Sequence, residues 1–520
     1  MRPSRVRLLF LAALTLVALA LRFWRLGAMP LFGDEAYYLL WADRLAPAYL
    51  DHPAGIAFLL KVSTVLLGRN ELGVRWLNAL LSTACVPLAY AVGRRYVSTL
   101  GGLIAATAVA LGPAYLITGR VVYPDTLQMV LVLANLLCLA PLLEGRGTLL
   151  RWALFGLTLA LLLNVKLSSG FYAIALGIYL LGWRRDLLRQ PGLWLAAGLA
   201  ALGLAPLVGW NAAHDWATVR WAIYQGRGFG LPHAGLRASL VHAWRYLTPP
   251  ASLLAGLAGV IAVLGLILRQ GKANLRATGE IQARRSAGLL ALVAACLLLP
   301  ILFSAANSPR NLGVGLLALW PLVGVAVAMP DGPGVKADRE RPVNRWPRAL
   351  YLLVVPLCLW LALYGVGTTA ALLGPTRLPA NIAAPAIRSD GAGWPEFAAE
   401  TLLPADEVAF AVDYGIAGQA AHYTGRPVYS AHPQFRLWGL RGLSDLTVLS
   451  QDFIPPELIT ERLRADFSST SGPSTWRYEA AGIRKTVYIW HARGLRVAET
   501  QLLEDLDFLR LAQAAEKRLR

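Results

Sequence analysis

The sequence has few charged residues and few cysteines for its length. Only 15% of the 520 residues are charged, whereas 56% are hydrophobic. Repeated apolar runs near twenty residues, in a chain of this composition, are typical of transmembrane helices and exclude an ordinary soluble protein. The cysteines all lie in apolar runs without ligand-like spacing, which argues against a disulfide framework or a zinc site: Cys85, Cys138, Cys296 and Cys358.

Several common catalytic patterns are also missing. The sequence contains no glycine-rich phosphate loop, no His-Glu-x-x-His and no Gly-x-Ser-x-Gly. These absences argue against a nucleotide-driven pump, a common metalloprotease and a serine hydrolase. The formal net charge of +19 belongs to the first 373 residues. It therefore indicates membrane topology and not a nucleic-acid partner.

The apolar runs predict a polytopic α-helical membrane protein with about 11 transmembrane helices, within a range of 9–13. Basic residues recur in alternate connections, which predicts a cytoplasmic amino terminus and an outer carboxyl terminus in the inner (plasma) membrane. The first segment is short enough that a cleaved signal peptide is an alternative interpretation. The predicted spans are 8–28, 76–93, 100–118, 126–143, 150–165, 168–183, 193–211, 250–268, 286–305, 312–329 and 349–373.

The composition changes after residue 373, where a proline-containing linker begins. We divide the chain into a transmembrane domain, 1–373, and an extramembrane periplasmic α/β domain, 374–520. In the latter we predict strands at Val408–Val412, Pro427–Tyr429 and Thr486–Trp490, a helix at Gly415–Tyr423 and a terminal amphipathic helix at 499–519. The outer loops of the transmembrane domain are predicted at 29–75, 119–125, 212–249 and 306–311, with interfacial helices in the first of them.

The first outer loop carries an acidic pair, Asp34-Glu35, directly after the first apolar segment. Adjacent carboxylates at a membrane–water boundary are costly to desolvate, and carboxylates suit the activation of a hydroxyl nucleophile. No acidic residue falls inside a predicted span, whereas an ion-coupled transporter usually has one near the membrane midplane. The pair therefore predicts general-base chemistry at the outer face, although two solvated loop charges would have the same pattern.

Cations also converge on the predicted outer face. Positive charges suit a departing phosphate, whose negative charge grows as its bond breaks. Each cation and acid has a structural alternative, because interfacial cations snorkel and Asp125 could cap the following helix. The predicted catalytic residues are Asp34, Glu35 and Asp125; the predicted phosphate ligands are His52, Arg120, Lys166 and Arg310; the predicted acceptor or sugar pocket holds Tyr37, Tyr38, Asp51 and Tyr123.

Taken together, these motifs resemble bacterial members of the GT-C superfamily of polyprenyl-phosphate-sugar-dependent glycosyltransferases. Within that superfamily, the sequence resembles the group of protein O-mannosyltransferases and aminoarabinose transferases. The similarity covers nearly the whole chain. The segments that carry it are 21–27, 30–38, Asp51-His52-Pro53, Arg120 with Tyr123-Pro124-Asp125, 162–166, 209–216 and 410–423.

The resemblance implies an inverting transfer from a polyprenyl-phosphate sugar to a hydroxyl of a lipid, glycan or protein on the outer face. It implies that Asp34 is the base and that Glu35 helps to shape the site. His52 stands where aminoarabinose transferases have a phosphate-contacting lysine, and the region of Arg310 also departs from the family pattern. No cofactor is required by the resemblance. Some relatives bind a divalent metal, for which Glu35 and His52 are the candidate ligands here.

Two other classes of function are compatible with the composition. A flippase or transporter of lipid-linked sugars would share the helices and basic loops, but it would not require the acidic pair at the outer rim. A membrane scaffold that binds a partner through its outer domain would not need Asp34. The sequence does not distinguish among sugars or among acceptors.

Overall fold

A computed structural model describes residues 3–226, 278–303, 310–327 and 346–519, except for 382 and 441. The predicted span 250–268 lies outside the described residues. The membrane half contains helices at Pro3–Phe23, Gly33–Asp43, Gly55–Leu67, Glu71–Tyr96, Thr99–Leu111, Pro113–Arg120, Pro124–Leu143, Leu149–Leu163, Ser169–Trp183, Pro191–Ala213, Ala217–Gly226, Thr278–Phe303, Arg310–Val327 and Trp346–Leu373. A short 3₁₀ segment, Arg185–Arg189, joins two of them.

Ten of the eleven predicted spans coincide with these helices. Within the described residues, four helices are long and apolar enough to cross a membrane: Arg5–Phe23, Glu71–Tyr96, Pro124–Leu143 and Pro191–Ala213. A bent pair, Thr99–Leu111 and Pro113–Arg120, would make a fifth, and six further apolar helices are shorter. The chain is therefore a multi-pass helical membrane protein, and the number of helices that cross the membrane stays a prediction.

The predicted span 100–118 is broken into two helices that meet at 54°. Pro113 lacks the N–H that would bond to the carbonyl of Val109, so a straight helix would leave that acceptor unpaired. Arg22 supplies the missing donors, because its Nη2 lies 2.8 Å from the Val109 oxygen and its Nη1 lies 3.2 Å from the Ala110 oxygen. This buried arginine ties the first helix to the bend.

The carboxyl-terminal part, 374–519, contains a five-stranded mixed sheet. Its strands are β1 (Val408–Ala411), β2 (Val428–Ser430), β3 (Asp445–Gln451), β4 (Phe467–Ala480) and β5 (Ile483–Leu495), in the order β2-β1-β3-β5-β4. β1 is parallel to β2 and β3, whereas β5 is antiparallel to β3 and β4. Helices lie at Ala383–Gly391, Trp394–Glu400, Tyr414–Thr424, Pro433–Leu437, Pro456–Asp466, Glu499–Asp505 and Phe508–Leu519.

Our secondary-structure prediction for this part is incomplete. β1, β2 and β5 lie where strands are predicted, but β3 and β4 are absent from the prediction. β4 is mostly exposed and rich in serine, so it lacks the apolar alternation by which a half-buried strand is recognised. The predicted terminal helix at 499–519 is two helices, Glu499–Asp505 and Phe508–Leu519.

The carboxyl-terminal part packs directly on the first outer loop. The helices Gly33–Asp43 and Tyr414–Thr424 approach so closely that a Cβ on Gly418 would lie 2.7 Å from the Tyr37 nitrogen. A Cβ on Gly33 would lie 3.2 Å from the Cα of Gly415. Two further contacts, Leu50 N–H to Gln434 at 2.7 Å and Gln419 to the Leu31 carbonyl at 2.9 Å, join the same surfaces. The acidic pair therefore lies at a domain junction.

Candidate active site

The two carboxylates of the acidic pair have different surroundings. Both lie in the first turn of the Gly33–Asp43 helix, where the positive end of the helix dipole stabilises negative charge. Glu35 is fully buried, whereas Asp34 is partly exposed. This difference makes Asp34 the member of the pair that can meet a substrate.

Glu35 is held by a complete set of hydrogen bonds. Arg75 donates from Nε at 2.9 Å and from Nη2 at 2.6 Å, and the N–H groups of Val122 and Phe32 donate at 2.9 and 3.0 Å. These four donors use the lone pairs of both carboxylate oxygens. The geometry favours a structural role for Glu35, as the implied shaping of the site requires, and its catalytic role stays a prediction.

Arg75, which lies forty residues after Glu35 in the helix Glu71–Tyr96, completes this clamp. It is fully buried, and it also donates to the carbonyl oxygens of Leu26, Met29 and Pro30. All five of its N–H donors are therefore used. The buried ion pair with Glu35 fixes the turn that leads into the acidic helix, and breaking such a pair typically costs about 3–5 kcal/mol.

Asp34 receives its support from the carboxyl-terminal part. The hydroxyl of Tyr414 donates to Asp34 Oδ1 at 3.0 Å. The negative charge of Asp34, together with burial, raises the pKa of Tyr414 well above its ordinary value. Tyr414 therefore stays protonated and remains a hydrogen-bond donor to the carboxylate.

Two more carboxylates surround the same helix ends. Asp390 Oδ2 accepts the Gly33 N–H at 2.7 Å, and Asp413 Oδ1 caps the Tyr414–Thr424 helix through the Gly415 N–H at 2.7 Å. Burial raises the pKa of Asp390, and it raises the pKa of Asp413 to about 6. Both residues hold backbone donors, so their role here is to position the two helix N-termini beside Asp34.

The predicted acceptor pocket is largely a packed aromatic cluster. Asp51 accepts from Tyr37 at 3.0 Å and from the Trp221 indole at 2.7 Å, and burial raises its pKa. The Tyr37 ring lies 4.6 Å from that of Tyr414. Tyr37 is buried and Asp51 is partly exposed, and the hydrogen bond between them joins the acidic helix to the middle of the first outer loop.

The predicted pocket residues Tyr38 and Tyr123 and the predicted phosphate ligand His52 lie in the same region of the protein. The His52 ring is partly exposed and lies 6.0 Å from the ring of Tyr38, which is itself buried. Tyr123 is buried as well, and its ring meets that of Phe32 edge-on at 6.1 Å. His52 is thus the predicted residue of this group whose side chain reaches the surface.

The second outer turn places Asp125 against Lys166. The Lys166 Nζ lies 2.9 Å from Asp125 Oδ1, and Asp125 is almost fully buried in the first turn of the Pro124–Leu143 helix. The sequence-based prediction gave these residues separate roles in catalysis and phosphate binding, whereas the structure joins them as a pair. Asp125 therefore orients the Lys166 ammonium.

Arg120 is directed toward the protein interior. Its Nη1 donates to the carbonyl oxygens of Leu21 at 2.7 Å and Arg22 at 3.1 Å, at the end of the first helix. Basic groups at a helix C-terminus satisfy carbonyls that have no intrahelical partner. This geometry gives Arg120 Nη1 partners inside the protein, and the phosphate role of Arg120 stays a prediction. Arg310 begins the Arg310–Val327 helix, but its side chain lies outside the described residues.

The described residues do not support a metal site. No group of three or more His, Cys, Asp or Glu side chains that could hold a metal ion occurs among them. The candidate ligand Glu35 already accepts four hydrogen bonds, so it has no lone pair left for a cation. The proposed pairing of Glu35 with His52 around a metal is therefore not supported by this geometry.

Residues beyond the predicted set complete the site. Arg75, Tyr414 and Asp390 contact the acidic helix from parts of the chain that are 40 to more than 350 residues away. A hydropathy pattern does not connect such distant positions. The signal for Tyr414 was the motif Asp413-Tyr414, in which an aspartate precedes a predicted helix as an N-cap.

Comparison with known proteins shows which sequences and structures this chain is similar to. A family model described as dolichyl-phosphate-mannose-protein mannosyltransferase matches residues 51–210. The chain is 26% identical over 213 residues to the lipid A galacturonosyltransferase RgtD of Rhizobium johnstonii. That alignment spans 39% of this chain and 44% of the relative, which is less than half the length of either protein.

Two solved structures share the fold. ArnT from Cupriavidus metallidurans bound to undecaprenyl phosphate matches with a TM-score of 0.51 at 15% identity, over 92% of this chain and 98% of that chain. An oligosaccharyltransferase from Archaeoglobus fulgidus, tethered to an acceptor peptide, matches with a TM-score of 0.51 at 12% identity. That second match covers 93% of this chain and 74% of the other.

Proposed function

We propose that this chain is a membrane glycosyltransferase of the GT-C superfamily and that it transfers a sugar from a polyprenyl-phosphate carrier to a hydroxyl acceptor. The reaction inverts the anomeric carbon and takes place on the outer face of the inner membrane. The acceptor is a lipid, glycan or protein. The proposal extends to this chain what the relatives' names state of those proteins.

The observation that carries the proposal is the placement of Asp34. This carboxylate is partly exposed, lies at a helix N-terminus and receives a 3.0 Å hydrogen bond from Tyr414. A general base must be held within reach of the proton that it removes. Asp34 takes the proton of the acceptor hydroxyl as its oxygen attacks the anomeric carbon, and the carbon–oxygen bond to the carrier phosphate breaks.

The clamp beneath Asp34 makes this geometry rigid. Glu35 and Arg75 fix the turn before the helix, and Asp390 holds the N–H of Gly33. Groups locked by packing and second-layer hydrogen bonds keep the small positional tolerance that catalysis requires. The two acidic residues therefore have different roles: Asp34 takes the proton, and Glu35 holds the helix turn that positions Asp34.

The leaving phosphate needs positive charge at the same depth. Lys166 is held by Asp125 beside the second outer turn, and this ion pair fixes the position of its ammonium group. We assign Lys166 to the carrier phosphate together with His52 and Arg310. Such fixed cations stabilise the negative charge that develops on the leaving group.

The decisive experiment compares wild-type protein with Asp34→Asn in detergent or nanodiscs. Each is incubated with a panel of polyprenyl-phosphate sugars and hydroxyl acceptors, and released polyprenyl phosphate is measured by mass spectrometry. We expect wild type to release the carrier from one donor and Asp34→Asn to be slower by roughly 10²–10⁴-fold, the range of general-base contributions.

Asp43→Asn is the matched control, because Asp43 ends the same helix and pairs with exposed Arg69. It should retain wild-type turnover. Equal turnover by wild type and Asp34→Asn would reject Asp34 as the base while keeping the enzyme. Movement of the intact donor across a bilayer by both proteins, without release of the carrier, would favour the flippase alternative.

A further inference from the structure

Arg388 has an unusual environment in the Ala383–Gly391 helix. Its Nε and Nη1 atoms are shielded from water, and neither has a hydrogen-bond partner in the described part of the chain. Two guanidinium nitrogen atoms that are shielded from water lose their hydration without gaining a hydrogen bond in return, which is unfavourable. Buried charges in proteins are normally paired, so the unpaired state points to an anion that is supplied from outside the chain.

The other cations near Asp34 are already engaged. Arg75 bonds to Glu35 and to three carbonyl groups, Arg120 bonds to carbonyls of the first helix, and Lys166 pairs with Asp125. Among the cations whose side chains the structure describes, Arg388 alone has buried nitrogen atoms without a partner.

The helix that carries Arg388 is placed at the boundary of the membrane helices. Ile387 belongs to a buried cluster with Tyr123, and that cluster also contains Ala371 and Leu372 at the end of the last long helix. Asp390, two residues after Arg388, accepts the Gly33 N–H beside Asp34. The helix that carries Arg388 therefore contacts both the ends of apolar helices and the segment that bears the proposed base.

We propose that Arg388 binds the phosphate of the polyprenyl carrier, so that the carboxyl-terminal part supplies a donor-binding residue to the membrane half. Guanidinium groups match phosphate oxygens in geometry as well as in charge. A phosphate of a membrane-embedded lipid would lie at the ends of the apolar helices, which is the depth of the cluster around Ile387. This inference rests on the proposed function, because it assigns the ligand from the proposed donor.

The test measures binding, not turnover. Wild type, Arg388→Met and Arg388→Lys are titrated with undecaprenyl phosphate and with undecaprenol, which lacks the phosphate, by native mass spectrometry in detergent. We expect Arg388→Met to bind the phosphate about 10–100-fold more weakly, in keeping with about 1.5–3 kcal/mol for hydrogen bonds to charged groups. Arg388→Lys should retain part of the affinity, and binding of undecaprenol should be unchanged in all variants.

A second readout separates a ligand-binding arginine from a structural one. Without ligand, Arg388→Met should unfold at the same temperature as wild type or higher, because the change removes an unpaired buried charge. Arg462→Met is the control, since Arg462 is a half-exposed arginine of the same region, 3.5 Å from Asp505. It should affect neither measurement.

Each result has a distinct meaning. Equal phosphate affinity in wild type and Arg388→Met, or a lower unfolding temperature of ligand-free Arg388→Met, would overturn this inference and leave the proposed function intact. A loss of affinity confined to a phosphorylated glycolipid acceptor, tested in a parallel titration, would also overturn it. Failure of wild type to bind undecaprenyl phosphate at all would instead count against the proposed function.

Discussion

At the scale of single residues, the site depends on how each carboxylate is paired. Asp34 accepts a hydrogen bond from Tyr414 and keeps partial exposure, whereas Glu35 is buried and accepts hydrogen bonds from four donors. Two residues with equal intrinsic acidity thus receive different functions from their neighbours. Tyr414 matters here because it is the link between the proposed base and the carboxyl-terminal part.

We predict that Tyr414→Phe lowers the turnover number by roughly 10-fold and leaves the affinity for the donor nearly unchanged. The substitution keeps the ring and its packing against Tyr37 but removes a hydrogen bond to a charged group, worth about 1.5–3 kcal/mol when fully used. Steady-state kinetics of carrier release would give both values. Because the pKa of Tyr414 is raised well above its ordinary value, the defect should be constant from about pH 6 to pH 9.

Tyr429→Phe is a suitable control for this change, since Tyr429 lies on β2 and packs within the carboxyl-terminal part. It should behave as wild type. A Tyr414→Phe protein with full turnover would mean that Asp34 keeps its position without the hydroxyl, and Tyr414 would then have only a packing role.

At the scale of elements, the site depends on the close contact between two short helices. The Gly33–Asp43 and Tyr414–Thr424 helices meet through Gly33, Gly415 and Gly418, and their N-termini both lie beside Asp34. Small residues allow backbones to approach closely. The spacing of the two helices therefore sets the distance between Tyr414 and Asp34.

We predict that Gly418→Ala reduces turnover at least 10-fold and destabilises the protein by about 1–3 kcal/mol, the usual cost of overpacking. The new Cβ would lie 2.7 Å from the Tyr37 nitrogen and 2.8 Å from the Ala36 carbonyl carbon, so the helices must move apart. Carrier release and thermal unfolding in detergent would be measured together.

The control for this prediction is Gly177→Ala. Gly177 lies inside the Ser169–Trp183 helix, and a Cβ there would have no atom within 4 Å. The same chemical change should therefore leave turnover intact. If Gly418→Ala were as active as Gly177→Ala, the tight helix contact would not be what positions Asp34.

At the scale of the whole molecule, the arrangement requires both parts of the chain on one side of the membrane. The first outer loop and residues 374–519 share a buried cluster that includes Tyr37, Trp41, Trp394 and Ile416. The interface contains the hydrogen bonds from Gly33, Leu50 and Tyr414. The carboxyl-terminal part therefore has to fold against the loop on the face where the proposed reaction occurs.

We predict that this face is the outer one. A cysteine at Ser474, which is exposed on β4, should react with a membrane-impermeant maleimide in cells whose inner membrane is intact. A cysteine at Gln190, which is exposed beside a basic connection, should react only after permeabilisation. The reverse labelling pattern would invert the topology and place the site in the cytoplasm.

The sequence alone determined the membrane class, most of the helix positions and the identity of the acidic pair. Hydrophobic length and turn residues are local properties, so ten of the eleven predicted spans coincide with described helices. The bend at Pro113 and the strands β3 and β4 escaped prediction. Each depends on distant partners: Arg22 supplies donors at the bend, and β3 and β4 pair with β5.

Only the tertiary structure decided which carboxylate is available for chemistry. Asp34 and Glu35 are neighbours with the same local signal, and no pattern in the loop distinguishes them. Arg75 and Val122 bury Glu35 from two other elements, while Tyr414 reaches Asp34 from the carboxyl-terminal part. The physical reason is that hydrogen-bond saturation and solvent exposure depend on which distant groups meet in space, and adjacent residues on a helix face different directions.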